Sequence, residues 1–169
     1  HKTQRDYLFR IPLAGGGFYG HPNPTRCEWV LNGGNPTSGS DVGEPIGGSD
    51  YAVGVQPDRN YRGFAFDFEN NKSPNGVIEY QSSVFNGALQ GAILVVRYSQ
   101  NDDIITLFPD GPNGDVATSY AGSQIPGFSG FNNPLEIVEN PANGYIYVVE
   151  YGSMELTLLR PIVSNEPDI

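Results

Sequence analysis

Two residue types that could act as nucleophile and base lie close together near the start of the chain. Cys27 is the single cysteine among 169 residues, and His21 precedes it by six positions. A nucleophilic thiolate needs an adjacent base, but closeness in sequence does not place two side chains together. A buried thiol is therefore favoured, and a bridge from Cys27 to another polypeptide is the alternative.

Other side chains offer oxygen ligands or a modification site. The acidic turn at 110–115 has the oxygen-rich composition that calcium prefers, but it lacks EF-hand spacing, so a hydrated turn is favoured. Asn71 begins an Asn-Lys-Ser sequon, which predicts N-glycosylation if the protein is secreted. Three glutamates could be cast as a glycosidase pair, but nothing in the sequence sets their separation: Glu136, Glu139 and Glu150.

The charge balance narrows the classes of partner. Nine basic residues stand against 19 acidic ones, which gives a net charge of −10. Such a field repels nucleic-acid phosphates and anionic lipids, so no nucleic-acid partner is expected. The chain also has no run of about 18 apolar residues, so no membrane span is predicted.

The elements that must position these residues are strands and turns. The 22 Gly and 14 Pro exclude a helical bundle. Because 38% of residues are hydrophobic and 12% aromatic, disorder is also disfavoured. This composition predicts a turn-rich, all-β protein.

Strand-like segments recur along the chain. Segments rich in β-branched and aromatic residues predict strands at 6–13, in a pair from 91 to 108, and in a second pair from 144 to 159. The second pair repeats the first after 53 residues, and a Pro-containing extended stretch precedes each pair. Repeats of about 50 residues built from such strands are typical of β-propeller blades. Between the first two segments, about 20–60 is predicted to be a long loop.

Three stretches resemble one known family. The stretch GGGFYGHPNP (15–24) resembles the Gly-Gly-x-x-Tyr-Gly-Trp-Pro turn of soluble glucose/sorbosone dehydrogenase-type quinoprotein propellers. Residues 73–111 resemble that family's Pro-x-Gly strand, Phe-containing linker and apolar blade, and 130–161 resemble its closing unit. The resemblance implies that residues 1–169 form the C-terminal part, about three blades, of one six-bladed propeller. We therefore expect the chain to be a fragment or a processed product.

The resemblance also implies cofactors, a location and candidate site residues. Catalytic members of the family are extracellular or periplasmic and oxidise sugars by hydride transfer to pyrroloquinoline quinone (PQQ), often with calcium. The backbone carbonyls of Gly20 and Pro22 match a calcium-binding turn. Arg97 is the cation that matches a contact to the PQQ carboxylates.

The same resemblance leaves the activity open. The family's Arg-rich cofactor contact falls on 131–133, Phe-Asn-Asn, and its catalytic His lies in a half that this chain does not contain, so the catalytic residue is unknown. Two functions follow: a PQQ-dependent sugar dehydrogenase in the full-length protein, or a non-catalytic extracellular scaffold or carbohydrate- or protein-binding propeller. Three blades leave open sheet edges. The partner predicted to cover them is the remaining half of the propeller or another subunit.

Overall fold

The computed structural model of the chain describes residues 5–19 and 62–162. Apart from two single-turn 3-10 helices, the regular structure in these ranges is β-strand. The predicted all-β class is therefore confirmed. The strands form three antiparallel sheets of two, four and three strands, and none of these sheets closes on itself. Over the same ranges, neither helix has the length and apolar character needed to cross a membrane.

The chain divides into two compact units. The first comprises His1–Lys72 and Pro112–Asp115, and the second comprises Ser73–Gly111 and Val116–Ile169. The first unit contains one of the three sheets, and the second contains the other two.

The first unit contains the two-stranded sheet, formed by β1 (Arg5–Leu8) and β2 (Phe66–Asn70). The Arg5 guanidinium bonds the Asp67 carboxylate, with Nε to Oδ2 at 2.7 Å, and this hydrogen bond raises the pKa of Arg5. The Tyr7 and Phe64 rings stack with centroids 4.8 Å apart. This sheet is held by side-chain pairs as much as by its short ladder.

The first predicted strand is too long. It was expected over 6–13, but β1 ends at Leu8, and the chain turns where the Gly15 amide donates to the Pro12 carbonyl at 2.8 Å. Pro12 has no amide hydrogen to give to a ladder. Strand-like composition therefore continues past the point where pairing stops.

The second unit contains the four-stranded and three-stranded sheets, each with its strands in sequence order. The four-stranded sheet is built from β3 (Pro74–Glu79), β4 (Ile93–Arg97), β5 (Asp103–Phe108) and β6 (Thr118–Tyr120). The three-stranded sheet is built from β7 (Pro134–Glu139), β8 (Ile146–Glu150) and β9 (Glu155–Leu159).

These two sheets share one arrangement of strands and turns, as the sequence repeat predicts. A residue in the left-handed conformation precedes the first proline of each sheet: Ser73, with φ 47°, and Asn133, with φ 54°. The carbonyls of Ser73 and Asn133 accept the amides of Tyr98 and Tyr151, at 3.1 and 3.0 Å. A register shift then follows the proline in both β3 and β7. The shared turn, bulge and hydrogen bond confirm the repeat beyond its sequence pattern.

The core lies between the two sheets. Alternate residues of a strand share a face, and the register pairs Val96 of β4 with Ile104 of β5. We call the two faces in contact the inner faces. Their buried residues include Leu94, Val96 and Ile104 of the four-stranded sheet and Ile137, Ile146 and Val148 of the three-stranded sheet.

The first strands of the two sheets approach closely at a glycine. A Cβ added to Gly76 of β3 would lie 2.7 Å from the Glu136 Cα of β7. Nearby, the buried Tyr80 hydroxyl donates to the Gly144 carbonyl at 2.5 Å, and burial raises the pKa of Tyr80. The sheets are therefore joined by backbone contact and a buried hydrogen bond as well as by apolar packing.

Candidate binding groove

The second unit carries a groove of about 920 Å³ with mostly apolar walls. This volume is within the range of small-ligand pockets. The walls come from three places: the turn before β4, the β5–β6 pair with the segment after it, and the end of β9. The apolar wall residues include Phe85, Leu89, Phe108, Ile125 and Phe128, and the β9 side runs from Leu158 to Ile162.

Strand register positions one wall of the groove. Thr106 pairs with Tyr120, and Phe108 pairs with Thr118, across β5 and β6. Because these residues occupy alternate positions, they share one face of the sheet. The Phe108 and Tyr120 rings meet edge to face, with centroids 6.1 Å apart. The short strand β6 therefore supplies an aromatic side chain to the groove.

Tight turns position the other apolar wall. The Phe128 carbonyl accepts the Ile104 amide at 2.8 Å, which fixes the segment 124–128 against the start of β5. This approach requires Gly122, because a Cβ there would lie 2.3 Å from the Phe128 carbonyl oxygen. Before β4, a short turn holds Phe85 and Leu89, and the Ala88 amide donates to the Phe85 carbonyl at 3.1 Å.

Several polar residues lie among the apolar ones, including Thr106, Asp110, Gln124 and Arg160. Thr106 lines the groove and is fully buried, and its hydroxyl has no hydrogen-bond partner among the described residues. Asp110 accepts hydrogen bonds from the Ala117 and Thr118 amides and from the Thr118 hydroxyl, at 2.6 to 3.1 Å. The bond from the Thr118 hydroxyl lowers the pKa of Asp110. Asp110 thus anchors β6 rather than offering a free charge.

A smaller cavity of about 420 Å³ lies within the first unit. Its lining includes Arg10 and Arg62, and no carboxylate among the described residues forms an ion pair with either. A Cβ at Gly17, where φ is 101°, would lie 2.8 Å from the Arg62 Cγ, so this glycine gives room to the arginine stem. Asp115 also lines this cavity, which leaves an excess of one cation, and the two guanidinium groups suit a carboxylate or phosphate. Sequence reasoning missed this pair, because 52 positions separate the two arginines.

Arg97 lines neither cavity and forms a buried ion pair. It is 6% exposed, and its Nε and Nη2 bond the two Asp103 carboxylate oxygens at 2.7 and 2.6 Å. Asp103 Oδ2 also accepts the Gly122 amide at 3.0 Å. The guanidinium is committed to Asp103, so a cofactor carboxylate would have to displace it. The prediction that Arg97 binds a cofactor stays a prediction.

The remaining sequence candidates are distributed differently. Asn71 directly follows β2 in a left-handed conformation with φ 54° and is half-buried, and its glycosylation stays a prediction. Gly20 and Pro22, the candidate calcium ligands, lie outside the described residues, as do His21 and Cys27. Among residues 5–19 and 62–162, no group of three or more His, Cys, Asp or Glu could hold a metal ion.

The three glutamates accept hydrogen bonds within the fold, and Glu136 accepts the Ile137 amide at 3.0 Å. Glu139 accepts the Gln81 and Ser82 amides, and Glu150 accepts the Asn132 amide and the Thr157 hydroxyl. In the ladder of β7 and β8, Glu139 lies at one end and Glu150 at the other. The fold therefore does not bring these two carboxylates together as a catalytic pair.

Comparison with known proteins assigns no family. No family model matches the chain, and neither a curated protein nor a solved structure matches it. The resemblance to quinoprotein propellers therefore stays a prediction.

Proposed function

We propose that the chain is a non-catalytic scaffold of stacked, propeller-type sheets, about three blades of a six-bladed propeller, and that it binds other polypeptide. One observation carries this proposal. A packing surface that is covered in one copy of the repeat is exposed in the next.

The repeat relates residues of the two sheets position by position. Val96 of β4 corresponds to Val149 of β8, and Ile104 of β5 corresponds to Leu156 of β9. Val96 pairs with Ile104, and Val149 pairs with Leu156, in the two ladders. Equivalent residues therefore occupy equivalent faces.

Burial separates these equivalent positions. Val96 and Ile104 are 0% exposed, whereas Val149 is 39% and Leu156 is 62% exposed. We call this surface of the three-stranded sheet its outer face, with Val138, Tyr147, Val149, Leu156 and Leu158 as its residues. It is the surface through which the preceding copy packs onto its neighbour.

The partner best suited to the outer face is a further sheet of the same kind. In the second unit, the covering surface is the inner face of the three-stranded sheet, with branched aliphatic residues at alternate positions, such as Ile146 and Val148. Burial of such a surface contributes roughly 25 cal/mol per Å². Exposed apolar surface of this kind is typical of interaction sites.

Sedimentation of the 169-residue chain tests the proposal. With no other protein present, a second copy is the available sheet, so we expect concentration-dependent association. Leu156→Lys should abolish it, because a charge at the centre of an apolar contact is costly to desolvate. Met154→Lys is the matched control, since Met154 is 89% exposed in the β8–β9 turn. A cooperatively folding monomer at all concentrations would contradict the proposal.

A second candidate function has its own observation. We propose PQQ-dependent sugar oxidation by a longer protein as the alternative, supported by the cavity of Arg10 and Arg62. These two cations line one cavity together and form no ion pair with a described residue, whereas Arg97 is bonded to Asp103. PQQ would supply the hydride acceptor, and the two guanidinium groups would hold its carboxylates.

Direct PQQ binding distinguishes this alternative. Calorimetric titration with PQQ and calcium should give saturable binding that Arg10→Gln or Arg62→Gln weakens about tenfold, the effect of one charge-assisted hydrogen bond. Arg5→Gln is the control, because Arg5 is engaged by Asp67. The absence of PQQ binding would leave the scaffold as the sole proposal.

A further inference from the structure

We propose that the groove of the second unit binds an extended segment of another polypeptide, which adds to the three-stranded sheet as its fourth strand along β9. This inference goes beyond the scaffold proposal and does not depend on it, because it uses the edge of the sheet rather than its outer face.

The four-stranded sheet contains the arrangement that the three-stranded sheet lacks. In the four-stranded sheet, β6 pairs with β5 at Thr106, Leu107 and Phe108. Within the described ranges, β9 pairs with β8 alone, and no strand covers its other edge. One copy of the repeat therefore has a strand where the other has an open edge.

The groove lies at the equivalent place on β9. Strand β6 pairs with Thr106 to Phe108 of β5, and in the repeat these three residues correspond to residues 158–160. Residues 158–160 line the groove. The amides and carbonyls on an open strand edge form a template for an added strand. The cavity and the missing strand thus coincide.

Strand alternation specifies how a bound segment would place its side chains. Leu159 pairs with Ile146, which belongs to the inner face, so a residue opposite Leu159 would also point to the inner side. There the groove offers the apolar walls of Phe85, Phe108 and Phe128. The segment that fits best has an aromatic or large aliphatic residue at its centre, flanked by residues that tolerate solvent.

The charge of the chain adds a preference. Residues 73–162 carry nine acidic side chains and two cations, Arg97 and Arg160, of which Arg160 lines the groove, so this part of the chain attracts cationic segments over neutral or acidic ones. The probe that follows is the peptide acetyl-Lys-Thr-Phe-Thr-Lys-amide. Its central Phe matches the groove, and its threonines favour the extended conformation.

Titration of the full chain with this peptide, followed by amide chemical shifts, tests the proposal. We expect saturable binding, with the largest shifts at residues 158–160 and in the groove walls. Replacing the central Phe by Ala should weaken binding about tenfold or more, since a buried Phe side chain is lost. Ile125→Ser in the groove wall should also weaken binding, with thermal unfolding as the check that the variant folds.

Backbone methylation separates strand addition from simple insertion of an aromatic ring. In an added strand, alternate amides donate to the neighbouring strand. Of two peptides N-methylated on alternate residues, one should bind and the other should not. Equal binding of both would overturn the proposal, as would no saturable binding at about 5 mM. Strong protection of amides 158–160 from hydrogen exchange in the chain alone would show an edge already covered, and would also overturn it.

Discussion

The four-stranded and three-stranded sheets share one repeat, yet they differ in what surrounds them. Val96 and Val149 occupy the same position in their ladders, and one is fully buried while the other is 39% exposed. Arg97 and Asp103 form a buried pair in one sheet, and the same positions in the other are Glu150 and Glu155. The comparison shows that the strand pattern determines pairing, whereas the neighbouring elements determine which face is buried.

The largest expected effect comes from the buried ion pair of the four-stranded sheet. Arg97→Met should lower the free energy of unfolding by about 3–5 kcal/mol, because Asp103 would remain as an uncompensated buried charge. Urea unfolding measures this change. Glu155→Gln, at the position equivalent to Asp103, is exposed and should change stability by less than about 0.5 kcal/mol.

If Arg97→Met and Glu155→Gln lowered the free energy of unfolding equally, the buried ion pair would contribute no extra stability to the four-stranded sheet. The double variant Arg97→Met, Asp103→Leu should recover most of the loss, since it removes both charges together.

Core truncation comes next. Ile104→Ala should cost about 2–5 kcal/mol, because it opens a cavity between the inner faces. Leu156→Ala, at the equivalent position, is 62% exposed and should cost less than about 0.5 kcal/mol. Thermal unfolding of the pair gives the contrast. A large loss from Leu156→Ala would mean that the outer face is already packed in solution.

A smaller effect concerns the hydrogen bond that joins the two sheets. Tyr80→Phe should lower stability by about 1–2 kcal/mol, because the Gly144 carbonyl loses its donor. Burial raises the pKa of Tyr80 above its ordinary value of 10.0. Its contribution is therefore complete below pH 10.0 and lost as the pH rises through the folded-state value. The free energy of unfolding at pH 9 and at pH 11 measures this contribution. In Tyr80→Phe, the part of the change that comes from ionisation of Tyr80 should be absent.

The smallest expected effect concerns β6, the strand for which the three-stranded sheet has no counterpart among the described residues. Asp110 anchors β6, and the Thr118 hydroxyl lowers the pKa of Asp110 from 3.8. Its contribution is present above pH 3.8 and is lost as the pH falls through the lower folded-state value. Below that folded-state pKa, hydrogen exchange of the Thr118 amide should accelerate relative to exchange of the β5 amides. Asp110→Asn should remove this pH dependence, and an unchanged profile would show that β6 needs no such anchor.

Much of this fold could be predicted from the sequence. Apolar runs indicated β4, β5, β8 and β9, because they carry the branched and apolar residues that strands favour; the first three bury at least one face, and β9 half-buries Thr157 and Leu159. Strand β6 could not be found in the same way. Its Thr-Ser-Tyr sequence is short and polar, and the ladder with β5 defines it.

The sites were harder to predict than the strands. Arg97 is matched to a cofactor contact through the family resemblance alone, and that motif gives no sign of Asp103, which the register brings directly opposite Arg97. The groove depends on residues from four segments between 85 and 162, and its position follows from a strand missing beside β9 among the described residues. No local pattern in the sequence encodes a missing neighbour.

The ion pair of Arg97 and Asp103 has a consequence for how the chain finds its fold. Two similar hairpins in one chain can exchange strands, as repeat proteins do when they misassemble. In the native ladder Glu150 already faces Glu155, which is exposed to solvent. If β5 joined β8 in the equivalent register, the buried Asp103 would take the place of Glu155 and would lose its bonds to Arg97. The two bonds from Arg97, together with the Gly122 amide on Asp103, therefore favour β5 over β9 as the partner of β4 and oppose an exchange of strands between the copies during folding.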